Sequence, residues 1–332
     1  MNEMNVTMYE VREDEQAAIA RCASELGMTV RMHAGTLDLD SVSLAEGSEA
    51  VSILGGSRLD EELFIKLKAA GIRYVSTRTV GFNHIDVHAA HRHGIMVCNA
   101  GYPPYGVAEF TVMLMLMALR KYKPALYRQS VNDYSLGGLQ GRELRTMTVG
   151  IVGTGRIGRA VAEILRGFGC RMLAYDPYPA DSLPQVRYVS LAELYRQSDL
   201  ITLHLPLTAE NRHMIDEESI AKMKDGVVLI NVSRGELTQI EALIRGIESR
   251  KIGALAMDVF EDETEIYHHR RINDIIANRS MAYLRQFPNV ILTQHMAFYT
   301  DVNTVSMVEC GLKGIVDMAR TQRGTVRTAL WI

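Results

Sequence analysis

The residues best able to carry out chemistry in this sequence follow short apolar runs that are typical of β-strands. They comprise a glycine-rich turn, a proline, three acids, an arginine and a histidine, at Gly153, Asp176, Pro206, Arg234, Asp258, Glu263 and His295. Because the carboxyl ends of parallel strands meet at one edge of a sheet, we expect these residues to share one site. There an arginine can hold a carboxylate, and a histidine beside an acid can donate a proton near neutral pH.

The glycine-rich turn has the spacing of a dinucleotide-binding loop. Gly153, Gly155 and Gly158 form a G-x-G-x-x-G pattern between a predicted strand at 147–152 and a predicted helix at 156–168. Such a turn seats a pyrophosphate on the helix N-terminus. Asp176 ends the next strand about 20 residues downstream, where an acid bonds ribose hydroxyls and repels a 2′-phosphate. The sequence therefore predicts NAD rather than NADP as the cofactor.

The elements that position these residues alternate regularly from residue 147 onward. The pattern predicts strands at 147–152, 171–175, 200–204, 226–231, 253–257 and 289–293, and helices at 156–168, 191–197 and 217–223. A further helix is predicted to open with a capping box at Thr238 and Glu241, and a last one to follow Thr300. This alternation is typical of a doubly wound parallel sheet.

The first hundred residues predict a second, smaller α/β unit. Apolar runs at 51–54, 74–76 and 95–98 alternate with polar helical stretches, and no phosphate-binding loop accompanies them. The chain has 332 residues, which exceeds the roughly 300 that one hydrophobic core serves, so two domains are expected. Residues 107–122 carry an apolar pattern too broad for one helix face, which predicts a buried connecting helix between two layers or two domains.

Composition excludes several classes of protein. The 36 basic and 39 acidic residues give a net charge of −3, which is unlike a nucleic-acid binder. Four scattered cysteines predict reduced thiols. The acidic N-terminus is unlike a secretory signal, and the longest apolar run, at 110–119, is shorter than the roughly 18 residues of a membrane helix. We expect a cytoplasmic protein that acts on small molecules and contacts neither nucleic acid nor membrane.

Five segments carry a resemblance to a known family. They are STRTVGFNHID at 76–86, GTGRIG at 153–158, NVSRG at 231–235, AMDVFEDE at 256–263 and HMAFYT at 295–300. Over nearly its whole length the chain resembles the D-isomer-specific 2-hydroxyacid dehydrogenases, especially the branch of D-lactate and D-2-hydroxyisocaproate dehydrogenases. The resemblance implies NAD-dependent reduction of a small 2-oxo acid, pyruvate or a bulkier analogue, to the D-2-hydroxy acid.

The resemblance also implies an architecture and an assembly. Two Rossmann-like doubly wound parallel-sheet domains are expected, with an NAD-binding domain at 101–298 inserted into a substrate domain made of 1–100 and 299–332. Catalysis is expected in the cleft between them, and the protein is expected to be a homodimer.

Individual residues acquire roles by the same resemblance. Arg234, Glu263 and His295 are the expected catalytic group, in which Arg234 holds the substrate carboxylate, Glu263 orients and favours the imidazolium, and His295 donates the proton. The substrate is expected to contact the backbone of Val80 and Gly81, with Tyr102 and Phe298 lining its pocket. The expected cofactor contacts are Gly153, Gly155, Arg156, Ile157, Gly158, Asp176, Leu205, Pro206, Asn211, Val232, Ser233 and Asp258.

Two positions depart from the family pattern. Gln294 stands where a proline usually precedes the catalytic histidine, which loosens the backbone there, and Gln239 stands where an acid usually follows the R-G turn. The capping box predicted at Thr238 is expected to compensate for Gln239.

Alternative functions remain open at this stage. One is a dinucleotide-sensing binding protein without turnover, although the intact Arg, Glu and His disfavour it. Another is a related enzyme with a different substrate, such as a formate or phosphoglycerate dehydrogenase. Pyruvate, 2-oxoisocaproate, phenylpyruvate and 2-oxoglutarate are all compatible with the sequence. A metal site at His84, His88, His91 and His93 is disfavoured, because no cysteine or carboxylate completes it.

Overall fold

The chain folds into two α/β units, each with its own parallel sheet. The computed structural model describes residues 4–179, 183–264 and 266–324. The described residues up to Pro103 and from Tyr299 onward form the first unit, and Pro104–Phe298 forms the second. The second unit is thus an insertion in the chain of the first.

The first unit is built on a five-stranded sheet with the order β2-β1-β3-β4-β5, in which each neighbouring pair is parallel. The strands are β1 Met4–Met8, β2 Met28–Met32, β3 Ala50–Ile53, β4 Tyr74–Thr77 and β5 Met96–Asn99. The sequence predicted β3 to β5 but missed β1 and β2. Both carry polar residues at alternate positions, and β2 is an exposed edge strand, so neither forms a continuous apolar run.

Helices cover both faces of this sheet, as in a doubly wound fold. They are α1 Gln16–Leu26, α2 Glu61–Ala69, α3 Val87–Arg92 and α11 Asp301–Thr321, with short 3₁₀ turns at Glu13–Glu15 and Val42–Ala45. Val6 and Leu312 belong to the apolar layer under α1 and α11, while Phe64 and Val75 belong to the layer on the other face. As predicted, the last helix begins directly after Thr300, and the Thr300 side chain caps it by accepting from the amide of Asn303.

The second unit contains a seven-stranded parallel sheet with the order β12-β11-β10-β9-β6-β7-β8. Its strands are β6 Thr148–Val152, β7 Arg171–Tyr175, β8 Arg187–Tyr188, β9 Leu200–Leu203, β10 Val227–Asn231, β11 Ile252–Met257 and β12 Val290–Leu292. The chain reverses its direction of winding between β6 and β9, which are neighbours in the sheet. In open α/β sheets the ligand binds at such a switch point.

The helices of the second unit include one that differs from its prediction. They are α4 Tyr105–Leu119, α5 Tyr122–Ser130, α6 Arg156–Phe168, α7 Leu191–Gln197, α8 Glu217–Lys222, α9 Ile240–Glu248 and α10 Arg279–Leu284, with 3₁₀ turns at Leu144–Thr146 and Gly235–Leu237. The helix predicted at 107–122 ends at Leu119, because Lys121 adopts a left-handed conformation and a new helix begins after it. Within the described residues, no helix is both long and apolar enough to cross a bilayer.

The capping box predicted at Thr238 and Glu241 is wrong. Helix α9 begins after Gln239, with no side-chain cap. The Thr238 hydroxyl instead donates to the carbonyl oxygen of Gly235 at 2.9 Å, and Thr238 forms a β-bridge with Ile215. The preceding 3₁₀ turn therefore uses the hydroxyl that the helix would have needed. Helix α10 was missed altogether, although Asn278 caps it by accepting from the amide of Met281.

A buried ion pair anchors the segment that follows β4. Arg78 and Glu15 are fully buried, and Arg78 Nε lies 3.0 Å from Glu15 Oε1. Arg78 also donates to the carbonyl oxygens of Tyr9 and Glu10 and to Ser52 Oγ. The Arg78 side chain, two residues before Val80, is thereby held by the residues that follow β1.

Removing one partner of this ion pair should destabilise the protein more than removing both. The change Arg78→Met leaves the buried Glu15 carboxylate with only the Arg12 guanidinium, 3.8 Å away, as its counter-ion, which should cost about 3 kcal/mol of unfolding free energy. In urea unfolding, the Arg78→Met/Glu15→Gln double variant should lose less free energy of unfolding than the Arg78→Met variant does. Additive losses would mean that the two side chains stabilise the fold independently.

Candidate active site

The glycine turn between β6 and α6 leaves no room for side chains. Gly153 has a φ of 97°, and a Cβ on it would lie 2.7 Å from the carbonyl carbon of His204, which follows β9. A Cβ on Gly158 would lie 2.0 Å from the carbonyl oxygen of Gly153. Glycine at both positions therefore lets the turn, the first turn of α6 and the chain after β9 pack backbone to backbone.

The start of α6 fits the pyrophosphate of a dinucleotide. Gly155 is the N-cap without any side-chain cap, and the space around a Cβ on it is empty to 4 Å. The first-turn residues Arg156, Ile157 and Gly158 follow it, at the end of the helix where amides favour an anion. Beside the turn, Nδ1 of His204 is enclosed and has no hydrogen-bond partner among the residues that the structure describes. The residues at the switch point thus form a cradle for a phosphate ligand.

Asp176 holds a fixed position directly after β7. Its carboxylate accepts from the Thr154 amide at 2.5 Å, from Thr154 Oγ1 at 3.0 Å and from the Tyr178 amide at 2.8 Å. The Tyr188 hydroxyl donates to Thr154 Oγ1 at 3.0 Å. The carboxylate is therefore tied to the glycine turn, and a carboxylate oxygen has further acceptor capacity for a ribose hydroxyl.

The other residues expected to contact the cofactor lie in the loops after β9 and β10. After β9, Asn211 donates from Nδ2 to the carbonyl oxygen of Pro206 at 2.7 Å and accepts from the Thr208 amide, which closes the loop that begins at Leu205. After β10, Val232 is buried, and Ser233 Oγ donates to the carbonyl oxygen of Leu203 at 2.6 Å. Since β9 neighbours both β6 and β10, these loops lie at the same sheet edge as Gly153.

The loop that carries Arg234 packs against the loop that carries Glu263. A Cβ on Gly235 would lie 2.2 Å from the carbonyl carbon of Phe260 and from the amide nitrogen of Glu261. The Arg234 guanidinium donates to the carbonyl oxygen of Ser233 at 2.6 Å. The backbone carbonyl oxygen of Arg234 accepts from Asn231 Nδ2. The close approach at Gly235 brings the chain ends after β10 and β11 into contact.

Glu263 and His295 interact directly across two loops. A carboxylate oxygen of Glu263 contacts Nδ1 of His295, and the other accepts from the Phe260 amide at 2.5 Å. Nδ1 is thereby engaged on the Glu263 side, which leaves Nε2 on the opposite side of the ring. Arg234, Glu263 and His295 follow β10, β11 and β12, which are consecutive in the sheet.

Asp258 connects the strand ends from within. It is fully buried, and its carboxylate accepts from Thr293 Oγ1 at 2.6 Å and from the amides of Met296 and Ala297 at 2.9 and 2.8 Å. Its carbonyl oxygen accepts from the His295 amide at 2.7 Å. Burial raises the pKa of the Asp258 carboxyl, although these donors and nearby His295 act in the opposite direction. Asp258 therefore organises the backbone on both sides of the catalytic histidine candidate.

Sequence reasoning missed several residues that support this site. Asn231 is buried at the end of β10 and accepts from the Ser233 amide at 3.0 Å, and Thr293 holds Asp258. Asn231 and Thr293 could have been found from the sequence, because each is a polar residue at the end of an apolar run. His204 follows β9 in the same way, and only the packing at Gly153 identifies it.

Comparison with known proteins places the chain in a family. The family model described as "D-isomer specific 2-hydroxyacid dehydrogenase, NAD binding domain" matches residues 112–297. An aromatic 2-oxoacid reductase of Clostridium sporogenes is 44% identical over 94% of this chain and 95% of its own length. The chain belongs to the D-isomer-specific 2-hydroxyacid dehydrogenases. The family predicted from the sequence is confirmed, and this dehydrogenase is an NAD-dependent oxidoreductase of 2-hydroxy acids.

Solved structures agree with this assignment. The pyruvate reductase of Chlamydomonas reinhardtii matches with a TM-score of 0.89 and 34% identity, over 98% of each chain. The D-lactate dehydrogenase from Aquifex aeolicus complexed with NAD and lactic acid matches with a TM-score of 0.86 and 32% identity, over 96% of each chain. The predicted pair of Rossmann-like parallel-sheet domains and the predicted NAD cofactor are confirmed.

The residues expected to contact substrate in this dehydrogenase lie in both units. In the first unit, the Val80 carbonyl oxygen accepts from Asn99 Nδ2 at 2.7 Å, and that of Gly81 accepts from Thr79 Oγ1 at 2.6 Å. Tyr102 is half-buried near the end of that unit. In the second unit, the Phe298 ring lies edge-on to His295, with centroids 6.4 Å apart.

The histidines near α3 make contacts of other kinds. His84 Nε2 lies 3.3 Å from Thr77 Oγ1, and His93 Nε2 lies 2.6 Å from Glu61 Oε1. In the part of the chain that the structure describes, no three His, Cys, Asp or Glu side chains are grouped so that they could hold a metal ion.

Acid should weaken the fold through His204. Burial lowers the pKa of His204 to about 3, whereas an unfolded histidine takes up a proton below about pH 6.5. The unfolded state then binds more protons, so the free energy of unfolding falls as pH drops from about 7 towards 3. Without coenzyme, this residue alone should remove about 2 kcal/mol between pH 7 and pH 5. Urea unfolding of His204→Gln should show that much less pH dependence, whereas exposed His269→Gln should match the wild type.

Replacing the acid after β7 should change the coenzyme preference. A carboxylate near a 2′-phosphate repels it by about 1 to 4 kcal/mol at about 4 Å, depending on the dielectric. We therefore expect Asp176→Ser to raise the ratio of kcat/KM with NADPH to kcat/KM with NADH by about tenfold. Asp225→Ser, which removes an exposed acid before β10, is the matched control. An unaltered ratio in Asp176→Ser would remove Asp176 from the ribose site.

Proposed function

We propose that this protein reduces a small 2-oxo acid, pyruvate or a bulkier analogue, to the D-2-hydroxy acid. The observation that carries the proposal is the contact between Glu263 and Nδ1 of His295, at the end of the strand row that also presents Arg234. This arrangement combines an oriented proton donor with a fixed positive charge, as reduction of a carbonyl beside a carboxylate requires.

Each residue has a separate task in the proposed reaction. NADH, which the glycine turn and Asp176 would hold, would supply the hydride for the carbonyl carbon. His295 gives the proton to the carbonyl oxygen from Nε2, and Glu263 favours the imidazolium and fixes the plane of the ring. Arg234 binds the substrate carboxylate and polarises the carbonyl with its planar guanidinium. We assign the NAD contacts to the glycine turn, Asp176 and the loops after β9 and β10.

The substrate contacts complete the proposal. We assign the binding of the substrate carboxylate to the backbone of Val80 and Gly81, together with Arg234. We assign Tyr102 and Phe298 to the rest of the substrate. The edge-on contact of Phe298 with His295 supports this assignment, because it places an aromatic surface beside the proton donor.

Two similar proteins support different side chains on the substrate. The 44% identity to an aromatic 2-oxoacid reductase favours a bulky substrate, whereas the structural match to a pyruvate reductase favours a small one. The loss of NADH absorbance gives kcat/KM for each 2-oxo acid. Comparing pyruvate, 2-oxoisocaproate, phenylpyruvate and 2-oxoglutarate then tests whether the enzyme prefers a bulky or a small substrate. We expect phenylpyruvate to be reduced faster than 2-oxoglutarate, since a second carboxylate would need its own counter-charge. Oxidation of NADH with none of the four would favour a dinucleotide-sensing protein.

Loss of the proton donor should affect turnover rather than coenzyme binding. Replacing His295 by Gln keeps a polar side chain but removes the transferable proton, so the reduction rate should fall by about 10² to 10⁴. NADH affinity, measured by fluorescence, should stay within about twofold. A variant with near-normal turnover would disprove the role of His295.

We also propose that the protein is a homodimer that associates through α5. None of the nine residues of α5 is buried. Large apolar side chains on α5 and the turn after it are exposed, namely Tyr122, Leu126, Tyr127, Val131, Tyr134 and Leu136. Exposed apolar patches of this kind mark interfaces, and identical copies most often pair about a two-fold axis.

Charge on this surface should separate the subunits. Sedimentation should give a dimer for the wild type and a monomer for the Leu126→Glu/Tyr127→Glu variant. The dimer interface would bury the new carboxylates without counter-ions, which destabilises the dimer. Ile65→Glu, at an exposed apolar residue of α2, should remain dimeric. A wild type that sediments as a monomer would contradict the proposal.

A further inference from the structure

The backbone of His295 adopts a left-handed conformation, which is uncommon for residues other than glycine. Its φ is 52°, in the left-handed region, where a side chain crowds the following carbonyl. Gln294, which precedes it, has no ring to restrict its own backbone. Such conformations persist when surrounding contacts determine them. The contacts that hold His295 are therefore part of what aims its imidazole.

Asp258 accepts hydrogen bonds from the backbone amides of His295 and of the two residues after it. Its carbonyl oxygen accepts from the His295 amide, and its carboxylate accepts from the amides of Met296 and Ala297. These bonds fix where the chain enters and leaves His295. None of these bonds involves the carbonyl oxygen of His295, which therefore accepts from a different donor.

His268 supplies that donor. Its Nε2 lies 3.1 Å from the carbonyl oxygen of His295. Since a carbonyl oxygen can only accept, Nε2 must carry the proton, as it does in one neutral tautomer and in the imidazolium. The peptide group between His295 and Met296 is thus held at both ends, by His268 at its oxygen and by Asp258 at its nitrogen.

Glu263 and His268, which hold the side chain and the main chain of His295, lie close together in the sequence. The Glu263 carbonyl oxygen accepts from the amides of Ile266 and Tyr267 at 2.8 Å, and this places His268 one residue beyond the turn that begins with Glu263. The His268 ring lies 6.2 Å from the His295 ring and 6.2 Å, edge-on, from the Phe298 ring. Glu263 therefore orients the imidazole while His268 fixes its backbone.

We propose that His268 is a positioning residue for the reduction, acting through a hydrogen bond to the His295 carbonyl oxygen that keeps the proton donor aimed at the substrate. The inference rests on the proposed role of His295. Because proton transfer depends steeply on alignment, loss of this bond lowers kcat, whereas the coenzyme and substrate contacts remain.

Two substitutions separate the hydrogen bond from the ring contacts. His268→Phe keeps an aromatic ring beside Phe298 but has no donor, whereas His268→Gln keeps an N–H donor of similar reach. We expect His268→Phe to lower kcat about tenfold, with KM for NADH and for the 2-oxo acid within about twofold. We expect His268→Gln to retain most of the wild-type kcat, and His269→Phe, at the next residue, which is exposed like His268, to match the wild type.

The outcomes distinguish this inference from the proposed function. Equal kcat for His268→Phe and wild type, or equal losses in His268→Phe and His268→Gln, would overturn the role of the hydrogen bond. A rise in KM without a fall in kcat would do the same, since it would mean a binding role. If wild type reduces no 2-oxo acid, or His295→Gln remains fully active, the proposed function itself fails. Thermal unfolding of each variant identifies any loss of kcat that comes from unfolding.

Discussion

The hydrogen bond between Glu263 and His295 depends on the parallel register of three neighbouring strands. Leu229 pairs with Leu255 and Leu255 pairs with Val290, so β10, β11 and β12 end at the same level. The pairing continues past the strands, because the Asp258 amide donates to Asn231 and the His295 amide donates to Asp258. A slip of one residue would turn every side chain of the slipped strand to the other face, and Glu263 would no longer meet the imidazole.

Close packing of the loops is the second condition for this site. The turn after β6 touches the chain after β9 at Gly153, and the turn after β10 touches the chain after β11 at Gly235. At each contact a Cβ would overlap backbone atoms that cannot move aside. The glycines thus let four chain segments gather at one sheet edge, where amides at a helix N-terminus favour an anionic ligand.

Buried polar groups in both units serve to fix loops. Asp258 and Arg78 are fully buried, and each makes several hydrogen bonds to backbone beyond a strand end. A buried charge is costly unless it is paired or hydrogen-bonded. The bonds that compensate that cost also hold the neighbouring loop in a single arrangement. In this protein such groups lie next to the residues proposed to bind substrate or donate the proton.

The sequence by itself determined the class of fold, the glycine turn and the identity of the residues at the strand ends. Strand and helix periodicity is local, so most elements of the second unit were predictable, and a helix from Arg156 to Phe168 was predicted with its observed bounds. Only the tertiary structure decided which polar groups meet. The β-bridge of Thr238 with Ile215, the left-handed backbone of His295 and the approach of His268 depend on segments distant in sequence, and their contacts outweigh the local preferences that sequence patterns report.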